Sequence, residues 1–379
     1  MTMAYETGAF VGRAWRPDVE GPSLVTVRNG ALIDITSSAV PTMRDLLDLD
    51  DPVAHVRSAP GEALASLADA MAGAERGPGE IHLLAPSDLQ AIKACGVTFA
   101  RSMIERVIEE RAAGDAGRAE AIRQRMAAII GDSLRNLKAG SAEAAGVKQA
   151  LIEEGVWSQY LEVGIGPDAE VFTKAQPLSA VGWGAAVGLH PISRWNNPEP
   201  EIVLAVSADG RVKGATLGND VNLRDVEGRS ALLLGKAKDN NASCAIGPFI
   251  RLFDETYSID DVRKADLDLL IEGPDDFRLK GTSTMREISR DPLDLVAQTI
   301  GPHHQYPDGL MLFMGTLFAP VEDRGEPGQG FTHEIGDVVT ISSPALGSLV
   351  NTVRLSTDCP PWTFGTAALM RNLAKRGLL

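Results

Sequence analysis

The sequence has little positive charge and no long apolar run. Its 379 residues carry 36 lysines and arginines against 51 aspartates and glutamates, which gives a formal net charge of −15. A protein that binds nucleic acid needs a basic surface, and anionic lipid surfaces attract basic segments. No apolar run reaches the ~20 residues that a membrane-spanning helix needs. We therefore expect neither nucleic acid nor a membrane as a partner.

Cysteine is also scarce and is not arranged in pairs. Cys95, Cys244 and Cys359 lie far apart, and no two of them have CxxC spacing. An odd number without paired spacing argues against a disulfide framework and against a zinc site. The opening residues "MTMAYETGAFVGRAW" do not have the pattern of a signal peptide. We expect a reducing, cytoplasmic environment.

The first 90 residues read as a small N-terminal α/β domain. Short strands and turns fill residues 1–60, and Asn29-Gly30 is a hairpin signal because both residues accept positive φ. The stretches "TMRDLL" and "GEALASLADAMAGA" are predicted to be helical, and "IHLLAP" (81–86) to be a strand. We place the end of this domain at residue 90 and assign residues 91–379 to a second domain.

The second domain begins with helices and then becomes rich in strands. Residues 101–155 are rich in Ala, Glu and Arg, and the apolar residues 103, 104, 107 and 108 share one helical face. For most of this segment we expect a solvent-exposed helical pair. From residue 156 onward the patterns are those of strands, so the fold class is mixed α+β and β-rich.

Two glutamates begin an apolar strand in "NNPEPEIVLAV". Glu199 and Glu201 share a face, because residues two apart on a strand point the same way. Downstream, Asp209-Gly210 has the pattern of a two-residue hairpin loop. If Ala208 pairs with Arg211 and the register continues, Glu199 lies opposite Asp220. The three carboxylates then converge.

Converging carboxylates need a counter-charge. Like charges opposed on a sheet destabilise it, and buried carboxylates are paired or bound to metal. Oxygen ligands alone favour Mg²⁺ or Mn²⁺, with Ca²⁺ as a third option. Two alternatives stay open: E-x-E is commonly a solvated strand edge, and a bulge at Gly214 or Gly218 would shift the register.

Several motifs resemble, in order, those of the fumarylacetoacetate hydrolase superfamily. The motifs are "PEPEIVLAV", "GATLGNDVNLRDVEG", "GKAKDNNASCAIGP", "TSTMREISRDP", "MGTLFAP" and "IGDVVTIS". The resemblance covers about residues 90–360 and is strongest to the branch that dehydrates 2-keto-3-deoxypentonates to 2,5-dioxopentanoate. It implies a β-roll catalytic domain, a small sugar acid as substrate, Mg²⁺ as cofactor, and a homodimer or homotetramer.

The resemblance also implies roles for individual residues. As metal ligands it gives Glu199, Glu201 and Asp220, the three residues that the hairpin argument selects. As substrate contacts it gives Arg224 and Thr316, and as the active-site lysine Lys238. Glu227 stands where the family has a glutamine, which puts that contact in doubt.

One departure favours a dehydratase over a hydrolase. Hydrolases of the family carry a lid motif with a histidine and a glutamate that activate water, and its counterpart here is "TFARSMIE" (98–105). Ser102 replaces the histidine and Glu105 matches the glutamate. A dehydratase releases water and needs no such histidine. Ser102 would then contact the substrate. The base would be Lys238, if burial lowers its pKa, or Glu105. Alternatively, Glu105 would be the acid that protonates the leaving hydroxyl.

Two other functions remain open from the sequence. A C–C hydrolase or decarboxylase of a 2,4-diketo acid would use the same metal. A non-catalytic metal-binding protein would keep the metal site without turnover. Lys238 and Glu105 also fit simpler roles as solvated charges on helices.

Overall fold

The computed structural model describes residue 5 and residues 7–77, 79–130, 137–318, 320, 322–324 and 330–379. Within these ranges the strands form two sheets, one of eleven strands and one of five. The strands are β1 (Phe10–Arg16), β2 (Gly21–Arg28), β3 (Ala31–Asp34), β4 (Glu62–Ser66), β5 (His82–Leu84), β6 (Ala91–Gly96), β7 (Glu170–Ala175), β8 (Ala186–Leu189), β9 (Pro200–Val206), β10 (Val212–Asp220), β11 (Cys244–Leu252), β12 (Asp266–Glu272), β13 (Arg278–Thr284), β14 (Leu310–Phe313), β15 (Val338–Ser343) and β16 (Gly347–Leu355).

The large sheet places the N-terminal strands beside the later ones. Its order is β4-β3-β2-β1-β11-β10-β9-β14-β6-β7, with β5 paired to β1. Strand β1 pairs with β11 antiparallel, through Phe10 opposite Arg251 and Val11 opposite Ile250. The first 90 residues therefore extend the sheet that the rest of the chain builds, and residue 90 as a domain boundary stays a prediction.

Local signals in this N-terminal part are mostly as predicted. Asn29 and Gly30 both have positive φ, and Arg28 faces Ala31 across the turn. The helix expected over "GEALASLADAMAGA" is present only in the second part of that stretch. Residues 62–66 form strand β4, and the helix starts only after Ser66, whose side chain accepts a hydrogen bond from the backbone of Asp69.

The small sheet has the order β13-β12-β15-β16-β8 and packs against the large one. The main apolar cluster joins both sheets, with Leu204 and Leu217 from the large sheet and Leu269, Ile341 and Leu349 from the small one. All residues of β9 are buried. The mixed, β-rich fold class predicted from the sequence is confirmed.

The helices lie around the two sheets. They are α1 (Met43–Asp48), α2 (Pro52–Ser58), α3 (Leu67–Arg76), α4 (Ala100–Ala112), α5 (Ala116–Ile130), α6 (Ala142–Glu153), α7 (Gln159–Ile165), α8 (Arg224–Glu227), α9 (Leu234–Lys238), α10 (Ile259–Val262), α11 (Pro292–Thr299) and α12 (Thr366–Lys375). In the described part of the chain, none of them is long and apolar enough to cross a membrane.

Helix α4 is not the solvent-exposed helix that we expected. Met103, Val107 and Ile108 are fully buried, in a cluster shared with α6 and α7, and Glu105 and Glu109 on the other side are also buried. The helix is enclosed because its charged face packs against other charged groups of the protein and not against water.

The β9–β10 hairpin has the predicted register but not the predicted turn. The backbone of Ser207 donates to Arg211, so the loop is one residue longer than Asp209-Gly210. A register shift between Val212 and Gly214 then compensates for the extra residue. Beyond it Glu201 faces Gly218, and the backbone of Asp220 donates to the carbonyl of Glu199 at 3.0 Å.

Candidate active site

A cavity opens beside the ends of β6, β7, β9 and β10, under helix α4. Its empty volume is about 350 Å³, open mouth included, and its lining is rich in charged groups. Backbone geometry keeps the strands close at this point. A side chain at Gly96 on β6 would collide with the carboxylate of Glu170 on β7, since a Cβ there would lie 1.8 Å from Oε2.

The hairpin brings Glu199, Glu201 and Asp220 together in this cavity. All three are at least 96% buried, and one carboxylate oxygen of each lies within 4.8 Å of the other two. The convergence predicted from the register is thus present. The set offers only hard oxygen donors, which Mg²⁺ and Mn²⁺ prefer.

The electrostatics of the three carboxylates favour the binding of a cation. Burial, followed by the charges of Asp220 and Glu199, raises the pKa of Glu201 well above its ordinary value. One oxygen of Glu201 also accepts a hydrogen bond from the backbone of Gly315, at 2.6 Å. Gly315 has φ +87°, and a Cβ there would lie 2.0 Å from Thr98 Oγ1, so a glycine is needed to aim this donor.

Two lysines reach the carboxylates from opposite sides. Lys238, at the end of α9, contacts Glu199 and lies 3.2 Å from Asp220. Lys174, on β7, is completely buried and lies 2.8 Å from the other oxygen of Asp220. Burial raises the pKa of Asp220, but Lys174 and Lys238 outweigh burial and hold that pKa below its ordinary value.

Lys238 does not have the lowered pKa that a basic role would need. Burial by itself lowers the pKa of its ammonium, but the charges of Asp220, Glu199 and Glu227 together raise it above the ordinary value. In this arrangement the neighbouring carboxylates outweigh burial, so the geometry does not favour Lys238 as a base, and that role stays a prediction. The ammonium is a fixed positive charge at the cavity wall.

Helix α4 presents Ser102 and Arg106 to the cavity. The two residues are four apart and so share one face of the helix. Ser102 Oγ donates to the carbonyl of Phe99 at 2.9 Å. The guanidinium of Arg106 contacts Glu199 and lies 2.6 Å from Glu109 and 3.2 Å from Glu227. Arg106 was not identified from the sequence.

The structure places Glu105 and Arg224 outside the described lining of the cavity. Both oxygens of Glu105 accept from Arg123, each at 2.9 Å. Arg224 donates to Glu109 at 2.7 Å and to the carbonyl of Pro320, and its guanidinium lies over the ring of Trp195. Direct contact of either side chain with a substrate, as expected from the resemblance, has no support in this geometry. Both residues hold α4 in place.

Glu170 is the second site residue that the sequence reasoning missed. Its side chain borders the cavity at the start of β7. Burial, followed by the charge of Glu227, raises the pKa of Glu170 to about 7. A signal was available: Glu170, Phe172 and Lys174 alternate along one strand, and Phe172 also borders the cavity.

Glu227 and Thr316 complete the polar part of the lining. Glu227 is buried at the end of α8, and burial raises the pKa of its carboxyl, although Arg106 and Lys238 oppose this. Thr316 lies next to Gly315, and its Oγ1 accepts from the backbone of Phe318 at 3.1 Å. The structure therefore brings Ser102, Thr316 and Lys238 together with the three carboxylates, as predicted.

The family model for the fumarylacetoacetate (FAA) hydrolase C-terminal region matches residues 166–354. The 2-dehydro-3-deoxy-D-arabinonate dehydratase of Saccharolobus solfataricus is 31% identical over 189 residues, 49% of this chain and 58% of the relative. A probable 2-keto-3-deoxyxylonate dehydratase of Haloferax volcanii is 29% identical over 201 residues, 53% of this chain and 65% of the relative. The matches thus span less than two thirds of either relative's length.

A solved structure has the same fold over nearly the whole chain. It is titled as a 2-keto-3-deoxy-D-arabinonate dehydratase complexed with magnesium and 2,5-dioxopentanoate. The two structures align with a TM-score of 0.64 and 18% identity, covering 91% of this chain and 99% of the other. By this match, residues 166–354, which carry the three clustered carboxylates, belong to the family of fumarylacetoacetate hydrolase C-terminal domains.

Proposed function

We propose that the protein is a Mg²⁺-dependent dehydratase that converts a 2-keto-3-deoxypentonate to 2,5-dioxopentanoate. The observation that carries this proposal is the buried cluster of Glu199, Glu201 and Asp220 at a cavity with Lys238 and Glu170 on its walls. The two curated relatives are named as dehydratases of this substrate class.

The metal ligands in this proposal are the three clustered carboxylates. Mg²⁺ bound there, or Mn²⁺ in its place, would supply Lewis acidity to the carboxylate and ketone oxygens of a 2-keto acid. Lys174 would hold Asp220 in its ionised form from behind the cavity. Thr316, at the lining, would donate a hydrogen bond to the substrate carboxylate. Ser102, whose hydroxyl donates to Phe99, would accept a hydrogen bond from a substrate hydroxyl.

We assign the proton transfers to Glu170. A pKa of about 7 lets one carboxyl both accept and return a proton near neutral pH. Glu170 takes a proton from C3 and returns it to the C4 hydroxyl, which leaves as water. The C3–C4 double bond then migrates, because C5 loses a proton and C3 gains one. The resulting C4–C5 enol tautomerises by moving its hydroxyl proton to C4, and C5 becomes the aldehyde.

Lys238 acts in this scheme as a cation. Its raised pKa keeps it protonated, so it stabilises the negative charge that develops on the substrate oxygen as the C3 proton leaves. This assignment replaces the expected pair of Lys238 and Glu105 by Lys238 and Glu170. Glu105 and Arg224 would support α4 from outside the cavity.

The cysteine content supports the cytoplasmic location that we propose for the enzyme. The resemblance supports a homodimer or homotetramer and a small sugar acid as substrate. All three cysteines are unpaired, which suits a reducing environment.

An assay with both C4 epimers of 2-keto-3-deoxypentonate tests the proposal. An aldehyde dehydrogenase would report 2,5-dioxopentanoate, with and without EDTA. We expect metal-dependent formation of the aldehyde from at least one epimer. If neither epimer reacts, while a 2,4-diketo acid is cleaved to pyruvate or glycolate, the protein is a C–C hydrolase instead. Metal-dependent melting without turnover of either class would leave only a metal-binding protein.

A further inference from the structure

The described lining of the cavity carries more negative charge than the metal site accounts for. Five carboxylates border it, and only two cationic side chains, Arg106 and Lys238, do so. A divalent cation would compensate the cluster of Glu199, Glu201 and Asp220. Of the two remaining carboxylates, Glu170 has the proposed role in proton transfer, and Glu227, which is not part of the cluster, has no role yet.

Glu227 has an acceptor atom that receives no hydrogen bond from the described residues. The residue is 97% buried and its side chain borders the cavity, yet Oε2 has no hydrogen-bond partner among the described residues. Arg106 Nη1 approaches Oε2 to 3.2 Å as a charge contact. Buried polar atoms in native proteins almost always have a partner, and an unpartnered acceptor at a cavity wall suits a donor on the bound molecule.

Arg106 does not make this side of the cavity, where it lies beside Glu227, a binding site for anions. Its single positive charge is shared by Glu109, Glu199 and Glu227, so three carboxylates surround one guanidinium. Its Nη1 donates to Glu109 and its Nη2 to Glu199. A second carboxylate on a ligand would meet an excess of negative charge here, whereas a hydroxyl could donate to Glu227.

We propose that Glu227 is the specificity-determining residue that selects 2-keto acids with a hydroxylated tail over those with a second carboxylate. The proposal deepens the dehydratase function and rests on it for the placement of the 2-keto acid head at the carboxylate cluster. The tail then points to Arg106 and Glu227. A hydroxyl there supplies the donor that Oε2 lacks, and a carboxylate there is repelled.

Binding of unreactive ligands tests this selection apart from catalysis. The Mg²⁺-loaded protein is titrated by calorimetry with 5-hydroxy-2-oxopentanoate and with 2-oxoglutarate, which differ at C5. Neither has a C4 hydroxyl to lose. Wild-type protein should favour the hydroxyl ligand. In Glu227→Gln that preference should fall by about tenfold or more, mostly through tighter binding of 2-oxoglutarate. Equilibria of the free ligands in solution are the same whichever variant is titrated. They therefore cancel when the ligand preferences of two variants are compared.

Glu109→Gln is the matched control, because Glu109 also pairs with Arg106 but does not border the cavity. We expect it to change the preference much less than Glu227→Gln does, because Glu109 offers no acceptor to the cavity. A preference that is unchanged within twofold in a folded Glu227→Gln protein overturns the proposal, as does an equal loss in both variants. If Glu227→Gln does not fold, Glu227→Asp replaces it and should weaken the hydroxyl ligand more than 2-oxoglutarate. If the preference behaves as expected but no epimer is dehydrated, the specificity stands and the proposed reaction fails.

Discussion

Replacement of Lys174 by methionine should destabilise the protein strongly although the residue lies behind the cavity. Its ammonium is completely buried, 2.8 Å from Asp220, and also donates to the backbone carbonyls of Val221 and Lys238. Two unit charges at 2.8 Å attract by about 6 kcal/mol at an effective dielectric constant of about 20. Loss of the ammonium's own desolvation cost offsets part of this. Removal of one partner from a buried pair costs about 3–5 kcal/mol in general.

We expect a loss at the lower end, about 3 kcal/mol, because Lys238 stays 3.2 Å from Asp220. The measurement is urea unfolding in EDTA, followed by circular dichroism. Lys236→Met is the control: the same substitution two residues from Lys238, but at an exposed position, should change the free energy of unfolding by less than about 0.5 kcal/mol.

The loss should also depend on pH. The folded pKa of Asp220 lies below its ordinary value of 3.8, where Lys174 is one of the groups that lower it. Such a carboxyl contributes stability above its unfolded pKa and loses it as the pH falls through the folded pKa. The gap between wild type and Lys174→Met should therefore be widest above pH 3.8 and narrow on acidification. A variant within 1 kcal/mol of wild type at neutral pH would refute the reasoning.

Asp220→Asn should abolish Mg²⁺ binding in calorimetry and turnover with it, while circular dichroism stays unchanged; full activity of this variant in EDTA would remove the metal from the mechanism. Lys238→Met should lower turnover by roughly 10²–10³ without weakening Mg²⁺ binding, because its ammonium competes for the same carboxylates. Weaker binding in that variant would contradict this. Glu170→Gln should lower kcat by about 10²–10⁴. In wild type the rate should fall as the pH drops below about 7, since protonation removes the carboxylate that accepts the C3 proton, and an unchanged acid limb in the variant would assign that limb elsewhere. Glu105→Gln should lower the urea midpoint through its lost pairing with Arg123 and leave turnover within about threefold; a loss as large as that of Glu170→Gln would return Glu105 to the catalytic groups.

The carboxylate cluster could be predicted because it depends on one hairpin. Glu199, Glu201 and Asp220 are linked by local pairing, and only the register had to be right. Even so, the loop prediction was one residue too short, and the result held because the shift beside Gly214 corrected it. Sequence patterns give the loop residues, whereas the position of a compensating bulge depends on packing in the sheet.

The groups facing the cluster were harder to find, because they come from distant segments. Glu170 reaches the site through the pairing of β6 with β7, a contact that no local pattern reveals. On α4 the resemblance pointed to both Ser102 and Glu105, and only Ser102 borders the cavity. Because a helix turns about 100° per residue, Arg106, four positions after Ser102, shares its face, and applying this periodicity to Ser102 would have indicated Arg106.

The way the first strand joins β11 has a practical consequence for shortened chains. β1 covers one edge of β11, and β11 pairs on its other side with β10, which carries Asp220. A chain that begins at residue 91 would leave that edge with unsatisfied backbone donors and acceptors, which recruit other strands and promote aggregation. The opening segment thus shields a strand edge close to the carboxylate cluster, although it contributes no side chain to the lining of the cavity as described.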